Sequence, residues 1–388
     1  MVFERYIRDY VNIFDKLDRG AWNYEDGCVL IGEEAMYGAT GDERYFDSIK
    51  NYVDRYVRQD GTIKGYDPEE YNIDRIPSGR VLYLLYDNTG DVRYLKAVEQ
   101  LMTQIRNQPR TRCRNFWHKK IYPYQIWLDG LYMGMPFYMI YEKRFDQCAN
   151  YPDIINQFKN VRKLLFDQEK KLYYHACDES REVFWADPET GLSANFWTRA
   201  MGWYLMALTD CYEILGDDYP DYRTVLQKLL QEAIDGLLTY QDEESGLFYQ
   251  LTALKDEEGN YLEMSGSCMI SCALLKGVRL GMLQEEKYRP KGEEILMALE
   301  LRCMKLSGGR LSLTRICGGA GLGPAGNTRR DGSIRYYLHE PVVEDEQKGA
   351  GVLMLAYSEW LRLNAEGRTE TLGYPKVSIY NRGYEQFN

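Results

Sequence analysis

Histidine is scarce: the chain of 388 residues holds three, His118, His175 and His339. No HExxH or similar spacing links them, so neither a catalytic metal nor another cofactor is expected. Long apolar runs are missing too. No stretch reaches the roughly 18 apolar residues that a membrane span needs. The N-terminus, MVFERYIRDYVNIFDK, is charged and amphipathic and lacks the apolar centre of a secretion signal. No block of Lys and Arg stands out, which argues against nucleic acid as a partner. The nine Cys are odd in number, scattered and without a CxxC pair, a pattern of reduced and mostly buried thiols. Together these absences make a cytoplasmic location the expectation. What the chain has in quantity is aromatic: 34 Tyr, 12 Phe and 7 Trp. Amphipathic rings suit sugars, whose apolar faces are edged by hydroxyls, although Tyr packed between helices would give the same count. The 48 Lys and Arg stand against 59 Asp and Glu, a formal charge of −11. An acidic protein can still bind an anionic sugar, because local cations decide that contact.

The chain repeats itself. Tyr37-Gly38-Ala39-Thr40-Gly41-Asp42-Glu43-Arg44-Tyr45 recurs in form 49 residues later as Tyr86-Asp87-Asn88-Thr89-Gly90-Asp91-Val92-Arg93-Tyr94. Each copy follows one apolar helical run and precedes an amphipathic one, with Gly to end the first helix and Asp to cap the second. Looser copies are Leu215–Tyr219, Lys143–Asp146 and the stretch near Met282–Tyr288, and a last one is expected at the chain end, after Tyr357–Leu363. Six helix pairs follow, with about 32 residues for each helix and its loop. An open solenoid and a closed ring both fit that count. Alternate helices that are apolar all round, such as Leu131–Tyr141 and Ala200–Leu208, favour the ring, because its inner layer is buried on every side. The expected fold is therefore an all-α barrel of six helical hairpins, one domain over residues 1–388. Short β-hairpins are expected near Leu172–His175 and Gly309–Thr314.

Chemistry-bearing residues gather where each inner helix is expected to begin: Trp22–Gly27, Asn72–Pro77, Trp127–Gly130, Phe196–Trp203, Met264–Ser267 and Glu344–Gly349. In a ring of hairpins these starts share one mouth, where unpaired N–H groups and partial positive charge favour a carboxylated ligand. Asp74 and Asp129 could each be plain N-caps, the commonest use of Asp before a helix. Asp129 is flanked by Trp127, Leu128, Gly130 and Leu131, an apolar setting expected to raise its pKa toward that of a proton-transferring group. A second carboxylate at the same mouth would hold its proton in the same way. Arg199 and Trp203 are one helical turn apart and are expected to pair as cation and aromatic plate. His118, Lys119 and Lys120 follow Phe116 and Trp117, which argues against full exposure of that loop.

The run Phe116-Trp117-His118-Lys119-Lys120-Ile121-Tyr122-Pro123, leading into Trp127-Leu128-Asp129-Gly130-Leu131-Tyr132-Met133, resembles glycoside hydrolase family 105, the unsaturated rhamnogalacturonyl hydrolases. The same likeness is carried by Asn72-Ile73-Asp74, by Trp197-Thr198-Arg199-Ala200-Met201-Gly202-Trp203, and by the tail from Arg330 through Tyr337, Glu340-Pro341 and Lys348-Gly349. It spans nearly the whole chain in order. The resemblance implies an (α/α)6 barrel and a metal-free reaction on a terminal 4,5-unsaturated uronic acid, left by polysaccharide lyases. The C4=C5 bond is hydrated, Asp129 acts as general acid and base, and Asp74 positions or tunes the reacting groups. It also implies that Tyr24, His118, Lys119, Met133, His175, Trp197, Arg199 and Trp203 surround the substrate. The partner it implies is a small oligosaccharide with an unsaturated end, acted on by a monomer or weak homodimer. Two positions depart from the pattern: Tyr124 stands where His is expected, and His339 where a small polar residue is expected. The residues leave galacturonate and glucuronate both open. An ordinary inverting glycosidase using Asp74 and Asp129, an epimerase, and a sugar-binding scaffold without catalysis are the competing readings.

Overall fold

The computed structural model describes residues 2–16 and 20–365. Helices follow one another as α1 (Phe3–Phe14), α2 (Tyr24–Thr40), α3 (Glu43–Tyr56), α4 (Arg80–Thr89), α5 (Val92–Asn107) and α6 (Leu128–Phe145). They continue as α7 (Tyr151–Leu165), α8 (Thr198–Leu215), α9 (Pro220–Leu238), α10 (Met264–Arg279), α11 (Glu285–Cys303), the short α12 (Ile334–Leu338) and α13 (Gln347–Ala365). Six of them, α2, α4, α6, α8, α10 and α13, form an inner ring that closes through α13 against α2. The rest, α12 aside, make the outer wall of an (α/α)6 barrel. The two layers differ in sequence as their burial demands. In α10 every residue from Met264 to Val278 is buried. In the outer α3 only Tyr45, Ser48, Ile49, Tyr52, Val53 and Tyr56 are, one stripe at helical spacing.

The repeated turn does what its residues dictate. Gly41 and Gly90 end α2 and α4 in the left-handed region, each at φ 69°, where a side chain would be strained. Asp42 and Asp91 then cap the next helices by accepting from the amides of Arg44 (3.1 Å) and Arg93 (3.0 Å). The turn expected beyond Leu363 runs outside the described residues. The outer partner of α13 is α1, from the other end of the chain, where Phe3 meets Tyr357 with ring centroids 6.0 Å apart. The inner ring is tightened where α2 and α13 cross. A Cβ on Gly351 would stand 2.2 Å from the Cys28 carbonyl oxygen, so only glycine lets the two backbones approach.

A chain of buried charges links four inner helices. Arg80 of α4 meets Asp210 of α8 at 2.7 Å, and Lys276 of α10 meets both Asp210 and Glu213 at 2.6 Å. Arg279 joins Glu213 (2.9 Å) and Glu359 of α13 (2.5 Å). Three cations balance three carboxylates, so each charge keeps a partner away from water.

Among the described residues, three two-stranded ribbons decorate the barrel: β1 (Gln125–Trp127) with β2 (Ala176–Asp178), β3 (Met304–Ser307) with β4 (Arg310–Leu313), and β5 (Ile316–Cys317) with β6 (Val342–Val343), all antiparallel. The hairpin expected at Gly309–Thr314 is β3–β4. Near Leu172–His175 there is a single bridge, Phe166 to Tyr173, and the chain then pairs with β1, a segment distant in sequence.

Candidate active site

Five of the six inner-helix starts are bonded across to a neighbour. Asn23 before α2 accepts from the Ser78 hydroxyl before α4 (2.5 Å), and Gln347 of α13 donates to Asp26 of α2 (3.3 Å). Arg199 of α8 donates to the Ser265 hydroxyl of α10 (3.2 Å) and to the Cys317 carbonyl of β5 (2.6 Å). Beside α2 and α13 this end opens into a cleft of about 590 Å³ lined by Asn23, Glu25, Glu346 and Lys348 among others.

Neither Asp74 nor Asp129 is an N-cap. Asp74 sits in a short 3-10 turn, Ile73–Arg75, that Asn72 caps by accepting from the Asp74 amide (3.1 Å). Its own carboxylate faces the His118–Lys119 loop: Oδ1 lies 3.1 Å from His118 Nε2 and Oδ2 lies 2.6 Å from Lys119 Nζ. Burial alone would push this carboxyl up, but the Lys119 ammonium and His118 outweigh it and hold it well below the usual carboxylate range. The expectation that the two carboxylates hold each other's protons is thus corrected for Asp74, whose close neighbours are cationic or proton-donating. Lys119 is shifted in the matching sense: burial works against its charge, and Asp74 more than restores it.

Asp129 stands in the first turn of α6, 8% exposed. Its Oδ2 is buried and accepts no hydrogen bond. His175 Nε2 approaches to 3.3 Å without reaching hydrogen-bond alignment. Glu263, the cap of α10, shows what a purely structural carboxylate looks like in this ring. It accepts from the amides of Ser265 (3.1 Å), Gly266 (2.6 Å) and Cys317 (3.0 Å) and from the Ser265 hydroxyl (2.7 Å). A buried carboxylate oxygen left without such partners, beside an imidazole at the open end of the ring, is a group available to a ligand.

Aromatic rings join the two acids. His118, only 3% exposed, stacks on Trp127 at 4.4 Å with planes 8° apart, and His175 meets the same indole edge-on at 5.3 Å. The order is Asp74, His118, Trp127, His175, Asp129. His175 Nδ1 is 2.7 Å from the Tyr337 hydroxyl. Burial pushes the Tyr337 phenol well above its usual pKa, so it stays protonated and able to donate. When the Tyr337 hydroxyl donates to Nδ1, the ring proton of His175 is on Nε2, toward Asp129.

The remaining expected residues divide. Trp197 and Arg199 meet, with the guanidinium 4.7 Å from the indole centroid, and Trp197 donates to Gln250 (3.0 Å). Tyr24 opens α2, half-buried, with Lys348 Nζ 5.5 Å from its ring centroid. Met133 is buried one turn along α6 from Asp129. Trp203 is not the plate for Arg199. It is 1% exposed and stacks on Tyr132 at 4.7 Å, because its position on α8 turns it toward α6. Tyr124 adopts a positive φ of 61° and rests against Trp117 at 4.8 Å. His339 is exposed at the end of α12, with Nδ1 2.8 Å from the Arg335 carbonyl. Tyr337, Gln250 and the wall role of Trp127 were not singled out from sequence. Trp127 adjoins Asp129 and Tyr337 lies in the tail that carries the family likeness, whereas only tertiary contact marks Gln250. Among the described residues, no group of three or more His, Cys, Asp or Glu is placed to hold a metal ion, and no helix is long and apolar enough to cross a membrane.

A ring of helical hairpins whose mouth carries carboxylates, imidazoles and indoles defines a carbohydrate-active α/α-barrel enzyme. The chain belongs to glycosyl hydrolase family 88, whose model matches residues 4–364. A solved glycoside hydrolase from family 105 of C. acetobutylicum is 43% identical, covering 93% of this chain and 99% of that one with a TM-score of 0.88, which places the chain in family 105 as well. Protein Atu3128 of Agrobacterium fabrum is 39% identical over 60% of this chain and 99% of its own length. The unsaturated rhamnogalacturonyl hydrolase YesR of Bacillus subtilis is 26% identical over 67% of this chain and 72% of its own. The protein is a glycoside hydrolase.

Proposed function

We propose that the enzyme removes a terminal 4,5-unsaturated uronic acid, in the first place unsaturated galacturonyl-rhamnose, by hydrating the C4=C5 bond. The observation that carries this reading is the buried, unbonded Oδ2 of Asp129 beside His175. The Asp129 carboxyl gives a proton to C4. Water adds its oxygen at C5, and the proton it loses returns to Asp129. The C5 hemiketal opens to a ketone, the hemiacetal left at C1 collapses to an aldehyde, and the leaving sugar departs with its hydroxyl. Asp74, kept ionised by Lys119, supplies a fixed negative charge and orients His118. The 26% identity to the B. subtilis rhamnogalacturonyl hydrolase supports this substrate class. We read residues 1–388 as one catalytic domain, a monomer or weak homodimer. All nine cysteines are unpaired, which fits a reducing, cytoplasmic compartment.

The conjugated C4=C5 bond absorbs in the ultraviolet, and hydration abolishes that band. The wild-type protein is expected to bleach a lyase-generated rhamnogalacturonan disaccharide. Asp129→Asn is expected to abolish the bleaching with its melting curve retained, and Asp74→Asn to slow it severely. Full activity in Asp129→Asn would sink the mechanism.

A further inference from the structure

The strap between β5 and α12 holds a cation that the site described above does not use. Both ends of this strap are tied into the mouth: the Cys317 carbonyl accepts from Arg199, and Tyr337 meets His175. Between them, Leu322 is buried with Trp127 and Trp185 in a small apolar cluster. The Gly321 amide donates to the Tyr336 hydroxyl, and the Trp185 indole donates to the Gly323 carbonyl, both at 3.0 Å. These contacts fix the strap against the indole that carries His118.

Arg330 lies on the returning arm, where its carbonyl accepts from the Gly323 amide at 2.8 Å. Its side chain runs back beside Gly321. The point where a Cβ on Gly321 would stand is 3.4 Å from Arg330 Nη1 and 3.2 Å from the six-membered ring of Trp127. The indole of Trp127 and the guanidinium of Arg330 thus both border Gly321, and Arg330 is partly exposed. Its neighbour Arg329 is paired with Glu340 at 2.9 Å, Lys119 with Asp74, and Arg199 with Ser265 and Cys317. Among the described residues the Arg330 guanidinium has neither an ion pair nor a hydrogen bond. A planar, permanently charged fork without a partner, on a strap packed against an aromatic wall, matches a carboxylate.

In the reading above, the terminal unsaturated sugar presents its C4=C5 bond to Asp129, with its own carboxylate on C5. Arg330 is on the strap that rims the mouth. We propose that Arg330 is a specificity-determining residue that binds a second carboxylate, on a uronate beyond the leaving sugar of a longer acidic oligosaccharide. The choice of substrate rests on the unsaturated-uronide reading above. The contact with Arg330 rests on the strap geometry.

The test compares an unsaturated disaccharide with an unsaturated tetrasaccharide of alternating uronate and neutral deoxyhexose, using ultraviolet initial rates and titration calorimetry. In Arg330→Gln the ratio of kcat/KM for tetrasaccharide over disaccharide is expected to fall about tenfold, mainly through KM, and the wild-type advantage to shrink with added salt. Arg330→Lys, which keeps the charge but not the fork, is expected to recover part of the ratio. An unchanged ratio overturns the proposal, as does an equal loss in both variants accompanied by a lowered melting temperature, which would make the strap contact structural. If the wild type bleaches neither sugar, the uronide reading fails. Calorimetry with the tetrasaccharide then still decides on Arg330, and equal affinity of wild type and Arg330→Gln overturns its role.

Discussion

Replacing Lys119 by Gln tests whether Asp74 is held ionised as its surroundings require. The ammonium is 2.6 Å from Asp74 Oδ2, and both side chains are largely buried, 22% and 12% exposed. Removing one partner of a buried pair costs about 3–5 kcal/mol when nothing else compensates. Here His118 remains at 3.1 Å, so a loss of about 2 kcal/mol, within the range for hydrogen bonds to charged groups, is the working figure. For a chain of 388 residues, at about 2.1 cal/mol/K of unfolding entropy per residue, that lowers Tm by about 2–3 °C. The sign with pH follows from Asp74, whose folded pKa lies below its unfolded value of about 3.9. Its contribution is fully present above the unfolded pKa and fades as pH falls toward the folded one. Melting curves of wild type and Lys119→Gln should therefore differ most at about pH 5–8 and converge as the pH drops below about 4. In the variant the Asp74 carboxyl loses its strongest electrostatic support, so the acid limb of the pH–rate profile should move to higher pH. A Tm offset that stays constant from neutral pH down to about 3, or an unmoved acid limb, would refute the reasoning.

Two further changes probe the site and the ring. Tyr337→Phe deletes the 2.7 Å bond to His175 Nδ1 and frees the imidazole tautomer, so initial rates should fall about tenfold with little change in KM. Gly351→Ala drives a methyl to 2.2 Å from the Cys28 carbonyl, and backbone cannot turn aside as a side chain can. Urea unfolding should show a loss of about 1–3 kcal/mol from this overpacking.

The alternation of α/α hairpins was written locally. Gly41-Asp42 and Gly90-Asp91 each need only their own φ angles and side-chain caps, and those are short-range facts. The continuous burial of α10 against the single stripe of α3 likewise follows from which side chains water tolerates. That Asp74, Asp129 and Arg199 stand at one open end follows from the shared direction of inner helices in a ring, whereas His118 and His175 lie outside those helix starts and were pointed to by the family resemblance.

Tertiary structure decided what each of those residues faces. Nothing local says that α1 supplies the outer partner of α13, because ring closure joins the two ends of the chain. Helical spacing alone put Arg199 beside Trp203, but packing against α6 gave Trp203 to Tyr132 and left Trp197 for the guanidinium. The Asp-before-helix pattern is the same for a cap as for an acid. Only the partners present in space separate Glu263, which accepts four hydrogen bonds, from Asp129, whose Oδ2 accepts none. Charge pairing across four inner helices, from Arg80 to Glu359, was equally invisible, since a buried ion pair depends on which side chains meet in space and on how far water is excluded.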